Sequence, residues 1–174
     1  MISIRPPTGR NVEITAMTKC KKGLLAAALL APAILGQNVL ADDGQLDRGR
    51  YLTRIAGCND CHTAGYAQTA GAIPESEWLK GDVVGWSGPW GTTYPANLRL
   101  SLQKFTEDTW VQTARVTQYR PPMPWFGLRD MTDEDLRAIF QFIRSLGPAG
   151  DPAPAYVPPG QTVNGPAVVF PEQH

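Results

Sequence analysis

The chain has 174 residues, 43% of them hydrophobic and 18% charged, with a formal net charge of zero at neutral pH. That balance fits one ordinary soluble domain and excludes both a disordered tail protein and a large multidomain enzyme. Seventeen glycines and sixteen prolines, about a fifth of the chain, mean that much of the backbone is loop and must be held by something.

Lys19, Lys21 and Lys22 precede an apolar run over residues 23–35, and Val39-Leu40-Ala41 follows with small or modest side chains. Basic, then greasy, then small is the order of a secretory signal peptide, here over residues 1–41 with cleavage after Ala41, and Met17 makes a better start for it than Met1. The run is about 13 residues, short of the roughly 20 that span a bilayer as a helix. An uncleaved signal would therefore be the one membrane tether, and the reading is of a periplasmic, exported protein. Cleavage removes five basic residues and one acidic residue, leaving 11 basic against 15 acidic. A mildly acidic protein with no dense basic stripe is not built for nucleic acid. Cys20 leaves with the signal, so the exported chain keeps only Cys58 and Cys61, where disulfides are permitted.

Residues 47–56 read as a helix, with Leu46, Gly49, Leu52 and Ile55 at roughly helical spacing. It feeds Cys58-Asn59-Asp60-Cys61-His62, the pentapeptide of covalent haem attachment in c-type cytochromes. Two thiols three residues apart can add to the two vinyl groups on one haem edge, and the histidine directly after can turn a ring nitrogen onto the iron. Three other readings compete. A thioredoxin-type pair wants a strand-helix-strand context that the flanks lack. A zinc site needs four ligands, and beyond these residues the exported chain offers only the terminal His174. A structural disulfide would close an unusually tight loop.

From Thr63 to Leu102 no period is visible. Trp78, Trp86 and Trp90 sit among Gly81, Gly85, Gly88 and Gly91, which suggests a loop wrapped on a flat apolar object such as haem, or else a satellite core of its own. Pro74 or Pro89 is expected to offer the carbonyl that orients the His62 ring, and the sequence does not choose between them.

A further helix is expected over residues 107–118, started by Thr106 and carrying Trp110, Val111 and Ala114. The second iron ligand must come from downstream. His174 sits on a frayable tail, which leaves Met123 and Met131. Met131 precedes Thr132, an N-cap, and with Leu136 forms a hydrophobic staple. Met123 has no such duty. It lies in Arg120-Pro121-Pro122-Met123-Pro124-Trp125-Phe126, whose three prolines predict an extended, stiff segment. Stiffness suits a weak thioether ligand, because little freedom remains to be lost on binding. The last helix follows Thr132, with Leu136, Ile139, Phe140, Ile143 and Leu146 on one stripe and Gly147-Pro148 as its stop. Residues 148–174 hold seven prolines; this extended tail either wraps the domain or dangles.

Cys58 to His62, the downstream Met123-Pro124 and the final amphipathic helix resemble the single-haem class I c-type cytochromes. The stretch from Met123 to Leu136 is similar to the cytochrome c domains that accompany bacterial periplasmic dehydrogenases, alcohol dehydrogenase subunits among them. The resemblance covers residues 45–147, within a domain set at 42–147. It implies a mostly α, small helical domain wrapped around one covalent haem c, with long loops. It implies too that Cys58 and Cys61 bind the cofactor, that His62 and Met123 ligate the iron, and that the first and last helices cross at Gly49 and Phe142 or Phe140. Asn97-Leu98 resembles a short asparagine segment near haem in the same domains. One departure stands out: dehydrogenase cytochrome subunits often carry several haem motifs, and this chain has one.

Iron held on both faces has no open position, so the expected function is one-electron transfer between Fe(II) and Fe(III), not catalysis. The expected partners are redox proteins, a periplasmic or membrane dehydrogenase or oxidase. The alternatives are a haem enzyme with a labile methionine ligand and a non-catalytic haem subunit of a dehydrogenase complex. Arg115, Arg120 and Arg129 bracket the Met123 segment and are expected to line the haem rim, against propionates or an acidic partner.

Overall fold

The computed structural model describes residues 43–171; the expected signal at 1–41 and His174 lie outside them. Among the described residues the chain is mostly helical, with six helices and one small three-stranded sheet.

Helix α1 (Asp43–Ile55) begins ahead of the predicted residue 47, with Asp43 in its first turn and Arg54 in its last, both complementing the helix dipole. It buries Gly49, Leu52 and Thr53. Gly57, at φ 74°, then turns the chain through a left-handed position into the short α2 (Cys58–His62). Helix α3 (Leu98–Ser101) is capped by Asn97, whose side chain accepts from Leu100 N–H. Helix α4 (Glu107–Val116) starts at Thr106 as expected and ends two residues short of the expected 118. Its capping box is built from two threonines: Thr106 Oγ1 accepts from Thr109 N–H at 3.2 Å and Thr109 Oγ1 from Thr106 N–H at 2.9 Å.

Helix α5 (Trp125–Asp130) corrects the expectation of a fully extended proline segment. Pro124 is its N-cap, and a proline just before the first turn sacrifices no intrahelical bond. Helix α6 (Asp133–Ser145) follows Thr132, whose hydroxyl accepts from Asp135 N–H at 3.1 Å. Gly147, at φ 69°, ends it. Thr132→Ala should cost about 1 kcal/mol, read as a lower denaturant midpoint.

The stripe of α6 is the centre of the core: Leu136, Ala138, Ile139, Phe140, Phe142 and Ile143 are all buried. Helix α1 crosses it at Gly49, where a methyl group would come within 2.1 Å of Ala138 O and 2.6 Å of Phe142 Cβ. The crossing partner of Gly49 is thus Phe142. Helix α4 packs on α6 through Trp110, whose indole N–H donates to Leu136 O at 3.0 Å, while Glu107 meets Arg137 at 2.7 Å and accepts from Gln141 at 2.7 Å.

Strands β1 (Gly85–Gly88) and β2 (Gly91–Thr93) form an antiparallel hairpin, and β3 (Ala167–Val169) adds to β1 in parallel. The tail therefore wraps the domain. Two of the tryptophans build the satellite core that the sequence offered as one of its two readings. The rings of Trp86 and Trp90 pack on Phe170, with centroids 5.9 and 5.4 Å away, in the satellite-core arrangement. Trp78 lies in the main core, edge-on to Tyr66 and Phe142. Arg99 is buried beside them, its Nε donating to Gly147 O at 2.6 Å and Nη1 to Ser76 O at 2.8 Å, with Nη2 on Leu146 O.

Candidate haem site

On the short helix α2, Cys58 and Cys61 stand three residues apart and so share a face. Both are free thiols and both are half-buried. Burial pushes the Cys58 thiol up to about 11, with smaller contributions from the Asp60 and Cys61 charges, and burial likewise raises Cys61.

The back of this helix is bolted to the rest of the molecule. Asn59 is wholly buried, and its Oδ1 accepts from Thr63 Oγ1 at 2.7 Å. That same Thr63 oxygen accepts from Leu79 N–H at 2.8 Å. Gly81 N–H donates to His62 O at 2.8 Å, and Leu98 N–H to Leu79 O at 2.9 Å. Three stretches of backbone, at 62–63, 79–81 and 95–98, are thereby laid side by side. The approach is so close that a Cβ on Gly81, at φ 83°, would sit 2.7 Å from Pro95 O and 2.9 Å from Asn97 N. Only glycine serves there.

The consequence falls on His62. Its Nδ1 lies 2.7 Å from the carbonyl oxygen of Ala96, which can only accept, so Nδ1 carries the proton. Ala96, and neither Pro74 nor Pro89, orients the ring; this corrects the sequence expectation. Desolvation lowers the His62 pKa, partly offset by the Ala96 bond, so the ring is neutral with its lone pair on Nε2. A neutral imidazole held by a backbone carbonyl through one nitrogen is prepared to ligate metal through the other. Asn97, singled out beside it, braces the next link: its Nδ2 donates to Ala149 O at 2.8 Å and Asp151 O at 3.1 Å.

Met123 comes from elsewhere in the chain and packs half-buried against the same apolar cluster as Cys58. Its N–H donates to Arg120 O at 3.3 Å and its carbonyl accepts from Trp125 N–H at 2.9 Å. Met131 packs on the same cluster beside the start of α6, consistent with its staple role. The three arginines expected along a haem rim have partners within the chain. Arg115 bonds Arg129 O and Asp133, Arg129 pairs with Asp130 at 2.7 Å, and Arg120 lies over the Tyr156 ring at 3.9 Å.

These residues fit a covalently held haem. Two cysteines on one face and a histidine with a free Nε2 are the set that covalent attachment needs, and adding a thiol across a vinyl group would form a C–S and a C–H bond as the S–H and the vinyl π bond break, without any net change of redox state. Zinc is not favoured: among the described residues no group of three or more His, Cys, Asp or Glu side chains could hold a metal ion. Sequence reasoning missed the Ala96 carbonyl because a backbone acceptor has no residue signature. Gly81 was the available signal, as a glycine where two backbones touch.

Comparison with known proteins agrees with this chemistry. The family model described as "Cytochrome c" matches residues 46–147. The cytochrome c subunits of alcohol dehydrogenase (quinone) from Gluconacetobacter polyoxogenes and Komagataeibacter europaeus are each 29% identical over 140 residues, covering 73% of this chain and 27% of the relative. The chain thus spans about a quarter of the length of these relatives. No solved structure matches it significantly. With the attachment pentapeptide on α2, the tethered His62 and a family match over most of the described domain, the chain belongs to the cytochrome c family and is an electron carrier with covalently bound haem c.

Proposed function

We propose that the protein is a periplasmic one-electron carrier whose single haem is attached through Cys58 and Cys61 and ligated by His62 and Met123. The observation that carries this reading is the 2.7 Å tether from His62 Nδ1 to Ala96 O, which fixes the tautomer a haem ligand needs. When bound, haem supplies a one-electron couple between Fe(II) and Fe(III). The chain's own groups set its direction and speed. The Met123 thioether is a soft, neutral donor that favours Fe(II), and an apolar surround disfavours the extra charge of Fe(III), so both raise the potential. Ligands fixed by the fold need little rearrangement between the two states, and little rearrangement means fast exchange.

Export is proposed from the basic, apolar and small-residue succession of residues 1–41. No described helix is long and apolar enough to cross a membrane. The relatives are subunits of a quinone-dependent alcohol dehydrogenase, so the electron donor proposed here is a dehydrogenase of that kind, and the acceptor a terminal oxidase or another carrier. Small, transient docking is the usual geometry for such exchange.

The test is a visible spectrum of the exported protein in both oxidation states, repeated on Met123→Ala. The parent is expected to be low-spin with a far-red sulfur-to-iron band when oxidised. Met123→Ala is expected to lose that band and to lower the potential by on the order of 0.1 V, a fraction of the roughly 0.8 V over which axial ligands tune haem. Retention of the band in Met123→Ala would overturn the ligand assignment.

A further inference from the structure

The family-model match ends at residue 147, and the chain beyond it reaches the turn that carries Met123. Tyr156 is gripped from two directions. Its hydroxyl donates to Trp90 O at 2.7 Å. Its neighbour Val157 exchanges two backbone bonds with Thr92, at 2.8 and 3.0 Å. The fit is tight enough to dictate a glycine: a Cβ on Gly91, at φ 91°, would lie 2.4 Å from Val157 O and 2.9 Å from the Tyr156 hydroxyl. The ring so fixed carries the Arg120 guanidinium on its face, 3.9 Å from the centroid. Arg120 O in turn accepts from Met123 N–H, closing the turn over residues 120–123. Thr93 Oγ1 adds a second tie from the same hairpin, donating to Pro121 O at 2.8 Å.

We propose that Tyr156 is a positioning residue for the Met123 ligand: seated on the β1–β2 hairpin, it holds Arg120, and through it the turn that presents the thioether, so that Met123 resists displacement from the iron. This rests on the assignment of Met123 as ligand. The physical reason is the weakness of a thioether donor. Such a ligand competes with small nitrogen bases only if its backbone is ordered before it binds, and ordering by a distant brace lowers the entropic cost at the moment of ligation.

The experiment uses the full chain with haem attached, in the oxidised state, titrated with imidazole and followed by loss of the far-red band. Tyr156→Leu and Arg120→Ala are each expected to tighten apparent imidazole binding about fivefold, the scale of a cation–π contact. Tyr156→Phe keeps the ring beneath Arg120 and is expected to stay within about twofold of the parent. Thr106→Ala, which removes a helix cap, is the stability control: its melting temperature should fall while imidazole affinity stays at the parent value. Unchanged affinity in Tyr156→Leu, or an equal gain in Thr106→Ala, overturns the brace. If Tyr156→Leu does not fold, Arg120→Ala carries the same comparison. A parent without the far-red band overturns the Met123 assignment and the brace with it, whereas a band present and indifferent to these variants sinks the brace alone.

Discussion

Gly49→Ala is expected to destabilise the protein by about 3 kcal/mol, and Gly49→Val to prevent folding. The methyl group would meet Ala138 O at 2.1 Å and Phe142 Cβ at 2.6 Å. Neither atom is the movable tip of a side chain: one is backbone and the other is bonded directly to it. Relief therefore requires α1 and α6 to move apart as whole helices. Helix propensity works the other way, since alanine is preferred over glycine in a helix interior by about 1 kcal/mol. The steric cost must exceed that gain, which gives the experiment its sign. Denaturant unfolding of the parent and Gly49→Ala proteins decides it, and a variant as stable as the parent would mean that the two helices do not meet at this distance.

Arg99→Met is the second large effect, expected at about 3 kcal/mol or more. Arg99 is 7% exposed, and among the described residues no carboxylate pairs with it. Its compensation comes from backbone oxygens: Gly147 O, Leu146 O and Ser76 O. Two of these follow the end of α6, where the helix dipole is negative and favours a cation. Methionine fills similar volume yet leaves three carbonyls without their donor, each costing about 1–3 kcal/mol when buried. Arg99→Lys should recover only part of the loss, because one ammonium cannot reproduce the planar fork. Equal stability of Arg99→Met and parent, in the same unfolding assay, would count against the buried guanidinium as a structural centre.

Much of the haem site was legible because covalent chemistry constrains spacing. Two sulfurs have to reach one haem edge while the adjoining imidazole reaches the iron, so Cys58, Cys61 and His62 announce themselves in any linear reading. The caps at Thr106 and Thr132 were visible for a similar reason, since each acts within three residues of its own position. Contacts that join distant segments were not visible. The Ala96 carbonyl lies 34 residues from His62, and Trp86 and Trp90 meet an aromatic close to the far end of the chain. Arg99 carried no periodic or motif signal, because its value arises where a helix happens to end. The short helix after Pro124 was missed by treating proline as a barrier, when at the cap position its missing N–H costs nothing.

The sheet has a consequence for the order of assembly. Strands β1 and β2 are near neighbours in sequence, but β3 pairs Gly85 with Ala167, Trp86 with Val168 and Ser87 with Val169, across most of the domain. Closing so long a loop is slow relative to forming the local hairpin, so the β1 edge should wait unpaired while the helices pack. An uncut tail that let go of β1 would reopen that edge in the finished molecule. The exposed N–H and C=O groups of β1 would then invite strand exchange with the same segment of a second copy, a route to domain-swapped dimers that the docked tail closes.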